Sequence, residues 1–104
     1  MASNFLVAVE STATVVERNA ITEFINDDIQ CPFWHWVDTL WLVKRAPFAT
    51  SRGFHQKMVR SYPVLTETYV FVLEIDALEN NPTHWGTLNK DAWNWLKQSW
   101  GRPG

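Results

Sequence analysis

Two hydrophobic periods alternate along the chain and mark out six elements. Phe5-Leu6-Val7-Ala8-Val9 is a short apolar run bounded by the polar Glu10-Ser11-Thr12, which predicts a strand covered on both faces. Thr14 followed by Glu17 fits a capping box, and Val16, Ala20, Ile21, Phe24 and Ile25 then recur at helical spacing. The spacing predicts a helix over 14–27 that must end before Cys31-Pro32, because proline lacks the amide proton the next turn needs.

The aromatic and branched stretch Phe33 to Val43 reads as one long strand or as two short ones meeting near Asp38-Thr39. Thr50 or Ser51 begins a second helix, whose apolar stripe is the pair Phe54 and Met58 and whose end is Tyr62-Pro63. Tyr69 to Ile75 alternates so that Tyr69, Phe71, Leu73 and Ile75 share one face of a strand. After a polar connection through Asn80-Asn81-Pro82, Asn89 caps a last helix from Lys90 to Trp100, which Gly101 and Pro103 stop. This order predicts an α+β chain, a ferredoxin-like sandwich with a small antiparallel sheet and helices on one face. With 104 residues, it is one domain over 1–104.

Composition narrows the function classes. The net charge is −2, which argues against a bulk polycation that coats nucleic acid or anionic membrane. Between Thr39 and Thr66, however, there is no acidic residue, while Lys44, Arg45, Arg52, Lys57 and Arg60 all fall there. Those cations are candidates for a nucleic-acid or protein partner, with Phe48, Phe54 or His55 supplying stacking if the partner is a nucleic acid. The single cysteine, Cys31, excludes an internal disulfide and points to a reducing, cytoplasmic setting. It reads as structural unless His35 or His55 folds against it. Phe5–Val9 is too short for a signal-peptide core, and no run approaches a membrane span.

Seven tryptophans stand out. Trp36, Trp41 and Trp93 are expected in the core, and Trp95 is either core or an anchor for a partner. Asp38, flanked by His35 and Thr39, is expected to mark a bulge, an edge or a bond to backbone. No Gly-rich phosphate loop, HExxH or GxSxG is present.

The segments Trp34-His35-Trp36-Val37-Asp38-Thr39-Leu40-Trp41-Leu42-Val43, Tyr69 to Ile75 and Ala92-Trp93-Asn94-Trp95-Leu96-Lys97 resemble small prokaryotic proteins labelled SinR-like. These are distinct from the helical sporulation repressor. The group is similar to the small ferredoxin-like subunit of CRISPR spacer acquisition and, more distantly, to the virulence-associated protein D ribonucleases. In such relatives, an acidic residue ending the first strand holds a divalent metal across a symmetric dimer. Glu10 stands there in this chain, where the relatives usually carry Asp.

The resemblance therefore implies a homodimer and one possible activity, a Mg²⁺-dependent ribonuclease or deoxyribonuclease with Glu10 as catalytic and metal-binding residue. The competing expectation, favoured by the aromatic excess and segregated charge, is a non-catalytic interaction or regulatory protein, antitoxin-like or defence-related. It would need no cofactor and would bind a protein or nucleic acid through Lys44, Arg45, Arg52, Lys57, Arg60 and Trp95.

Overall fold

The computed structural model describes residues 3–75, 83–84, 87–99 and 102–103. Its framework is β1 (Ser3–Val9), α1 (Val15–Glu23), β2 (Phe33–Val37), β3 (Leu40–Ala46), α2 (Ser51–Ser61), β4 (Val70–Glu74) and α3 (Lys90–Ser99). A two-residue parallel bridge joins β5 (Thr83–His84) to β6 (Arg102–Pro103). The main sheet has the order β2-β3-β1-β4 with every pair antiparallel, which is the ferredoxin-like α+β arrangement. The connection Asn80-Asn81-Pro82, and Trp100 with Gly101, lie outside the described residues.

The stretch 33–43 resolves into two strands. Asp38 and Thr39 form the two-residue turn between them, with Val37 opposite Leu40. Asp38 is exposed in that turn, and the β2–β3 register shifts between Trp34 and Val37.

Helix α1 starts as its sequence predicts. The Thr14 hydroxyl accepts the Glu17 amide at 3.1 Å, and Glu17 Oε1 accepts the Thr14 amide at 2.7 Å. Ala20 and Ile21 are buried, and so are Phe24 and Ile25 in the π-helical turn Phe24–Asp28 that continues the helix. Val16 does not belong to this stripe and is exposed. At about 100° per residue it lies well away from the axis of the buried four, and Glu17 takes the inward place in the first turn. There its Oε2 accepts the hydroxyl of the buried Thr68 and ties α1 to the segment before β4.

Thr50 caps α2 by accepting the Gly53 amide at 3.0 Å, and Phe54 and Met58 are fully buried. Phe54 lies among Phe5, Phe24 and Phe48, with ring centroids 5.1, 5.6 and 5.2 Å away. This core fills the space between α1, α2 and the inward residues Phe5, Val7, Val9, Trp41 and Val43. Tyr62 seals its rim. Its ring meets Phe24 edge-on, its hydroxyl donates to Asp28 Oδ1 at 3.0 Å, and burial followed by Asp28 pushes the phenol pKa up to about 12.

The first two helices share one face of the sheet, as expected, whereas α3 packs on the other. A second cluster joins Trp34, Leu40 and Leu42 to Ala92 and Leu96, with Leu88, Trp93 and Trp95 around them. Leu40 and Leu42 alternate with Trp41 and Val43 along β3, so the two clusters lie on opposite sides of the strand. Trp34 Nε1–H donates to the Ala92 carbonyl at 3.2 Å and fixes the helix to β2. Asn89 Oδ1 accepts the Asp91 and Ala92 amides, as its capping role predicts.

Truncating the aromatic hub has a measurable cost. Phe54→Ala lowers the unfolding free energy by about 3–5 kcal/mol in a urea titration, because the surrounding rings cannot collapse fully into the gap. The Glu17 carboxyl provides a second test. Its pKa is lowered by the Thr14 amide first and the Thr68 hydroxyl next, so its stabilisation is present above the ordinary carboxylate value and is lost as pH falls through the lowered one. The urea midpoint should therefore drop in acid, and Glu17→Gln should show a shallower drop.

Candidate functional site

The outer face of the sheet is covered unevenly. Helix α3 lies against β2 and β3, while Tyr69, just before β4, and Phe71 and Leu73 within it are turned outward at 80%, 60% and 44% exposure. The expected shared face of the β4 stretch is therefore its solvent face, and Val70 and Val72 supply the packing inward. Leu6 and Ala8 of β1 lie opposite Leu73 and Phe71 in register and widen the apolar surface. Its far end is a shallow depression of about 420 Å³ bordered by Ala8, Glu10, Tyr69 and Phe71.

Glu10 sits at the end of β1 on this side. Its Oε2 accepts the Tyr69 amide at 2.6 Å, its Oε1 accepts the Thr12 hydroxyl at 2.6 Å, and its own amide donates to the Tyr69 carbonyl at 3.0 Å. The carboxylate thus closes the β1–β4 corner. Glu74 lies at the opposite end of that strand pair, level with Phe5, so the two acids do not meet. Among the described residues, no three His, Cys, Asp or Glu side chains gather as a metal-ligand set. Each Glu10 oxygen accepts one hydrogen bond within the protomer, so a divalent cation held between two copies would draw on the remaining lone pairs of the two carboxylates.

The cations come from two elements, β3 and α2. Lys44 is half-buried on β3, and Arg45 is exposed at the strand's end, where φ is 55° and its amide donates to Asn4 Oδ1 at 2.9 Å. Arg52, Lys57 and Arg60 are exposed on α2 but spread over about 140° of its circumference. Stacking by Phe54 is overturned. Phe54 is fully buried and Phe48 packs against the same core, since both rings complete the layer over Phe24. Phe48 and His55 are both half-buried, and His55 lies beside β4.

Trp41 is fully buried as expected, with its Nε1–H donating to the Thr22 hydroxyl at 3.0 Å. Trp93 and Trp95 are half-buried around the second cluster. Trp36, expected in the core, is 48% exposed, because its strand ends beyond the cover that α3 gives Trp34. Cys31 is buried, its thiol donates to the Ile29 carbonyl at 3.3 Å, and burial pushes its pKa up. His35 stacks on Trp41 with centroids 4.1 Å apart and donates from Nδ1 to the Leu40 carbonyl, so it serves the core and not the thiol.

No helix among the described residues is long and apolar enough to cross a membrane. No family model, curated protein or solved structure matches the chain. The corner role of Glu10 has a direct test. Glu10→Ala should lower stability by about 1 kcal/mol and speed amide exchange at Tyr69, because the substitution removes that amide's acceptor.

Proposed function

We propose that this chain is a small, non-catalytic interaction protein that binds a protein partner in a cytoplasmic setting, as an antitoxin-like or defence-related regulator would. The observation that carries the reading is the row Tyr69, Phe71 and Leu73, three large side chains held in the open along the β4 stretch while α3 covers only the β2–β3 half of that face. An apolar row costs free energy in water and gains it back when a partner covers it. The antitoxin and defence setting rests on the resemblance to the small CRISPR-subunit proteins. The alternative, a Mg²⁺-dependent nuclease acting as a homodimer through Glu10, rests on that same resemblance.

Purification of the native chain with its bound material, followed by solution mass and identification of what travels with it, tests the proposal. A protein should co-purify in a fixed ratio. Phe71→Ser should weaken that complex by roughly tenfold or more while changing stability by less than about 1 kcal/mol, since the ring is largely solvated. An inert monomer, or a complex indifferent to Phe71→Ser, would reject the reading.

A further inference from the structure

The sheet has two edges, and they differ. Strand β2 is irregular, with its register shifted between Trp34 and Val37, and α3 is fixed across it by the Trp34 indole. Strand β4 runs in unbroken register with β1 from Glu74 opposite Phe5 to Val70 opposite Val9, and no described strand lies beyond it. Edges of this kind are ordinarily blunted by a bulge, a proline or a charged side chain; Val70-Phe71-Val72-Leu73 has none of these, and the charge on the strand is Glu74 at its far end, level with Phe5.

The orientation of the free edge follows from the ladder. The Glu10 amide donates to the Tyr69 carbonyl and the Ile75 amide to the Asn4 carbonyl, so Tyr69, Phe71, Leu73 and Ile75 direct their backbone groups towards β1. Val70 and Val72 therefore direct theirs the other way, into a groove of about 260 Å³ between the strand and the first turns of α2. Ser51, Arg52 and His55 form the helix side of that groove. No acidic residue lines it, α2 contains none, and Arg52 stands in the helix's first turn, where the backbone dipole adds to its positive field.

We infer that the free edge of β4 receives an extended segment of another protein as a fifth strand, with acidic side chains directed towards Arg52 and apolar ones beside Phe71. The inference rests on the interaction-protein reading and specifies its partner. Backbone pairing with Val70 and Val72 supplies affinity, and the period-two alternation divides the incoming side chains between the two faces. Those on the helix side meet Arg52, Ser51 and His55. Those on the outer side extend the row of Tyr69, Phe71 and Leu73.

The probe is an end-blocked peptide of about seven residues alternating valine and glutamate, with a valine–lysine peptide as its control. The full chain should bind the acidic peptide saturably, with slowed amide exchange at Val70 and Val72, and should bind the basic peptide at least about tenfold more weakly. Arg52→Glu lies on the solvated side of α2 and leaves the core intact, and it should reverse that preference. Val72→Pro removes an edge donor and should abolish binding of either peptide.

Equal binding of both peptides, binding of neither, or exchange changes elsewhere would overturn the inference. So would a native dimer that already protects Val70 and Val72, because a second copy would then be the occupant. If the peptides fail while the Phe71→Ser-sensitive complex persists, only the edge-pairing mode falls. If that complex is missing as well, the interaction reading falls with it.

Discussion

The structure depends on the position of β1 between β3 and β4. A strand paired on both sides cannot rotate, so the alternation Phe5-Leu6-Val7-Ala8-Val9 becomes a fixed division into two faces. Phe5, Val7 and Val9 receive α1 and α2, while Leu6 and Ala8 face the opposite side. The inward set meets Phe54, Phe24 and Trp41, and the aromatic layer then fixes the pitch of both helices. A slip of one residue in either ladder would exchange the two sets and remove Phe5 from its contact with Phe54.

That division also explains why the outer face is apolar without being fully covered. One helix is about 10 Å across, roughly the width of two strands, so α3 can cover β2 and β3 but not β1 and β4 as well. The contacts follow this limit. Trp34, Leu40 and Leu42 lie beneath Ala92 and Leu96, while Phe71 and Leu73 remain in solvent. Glu10 closes the corner of the uncovered half through the Tyr69 amide, which holds the strand end straight where it would otherwise fray.

The local signals were legible where the sequence alone satisfies backbone groups. Thr14 with Glu17, Thr50 and Asn89 each announce a helix start, and each accepts the amide hydrogen bonds its position demands. The small antiparallel sheet was legible for the same reason, since short apolar runs separated by capped helices admit few arrangements, but the expectation that all the helices share one face holds for α1 and α2 and fails for α3. Which side of a strand faces inward was not legible. Tyr69, Phe71 and Leu73 outweigh Val70 and Val72 in apolar area, yet the smaller residues are the ones that fit beneath α2. Trp36 raised the same difficulty, because its exposure depends on where α3 ends across the sheet, a distance no local pattern carries. The role of Glu10 was hidden too, because its partner Tyr69 is 59 residues away in sequence.

The two edges of the sheet put these constraints to opposite uses. At β2 the chain interrupts its register and ties a helix over the strand through a buried indole, which removes the geometry a further strand would need. At β4 it keeps the register regular, places two small β-branched residues on the helix side and leaves the large ones outside. An open strand with large exposed side chains is an aggregation hazard in any sequence not held back by other means. Among the described residues lining the groove beside Val70 and Val72, charge is carried by Arg52 on the flank of α2. A single cation repels copies of itself and attracts an acidic strand. The feature that limits unwanted self-pairing therefore also selects what is admitted at that edge.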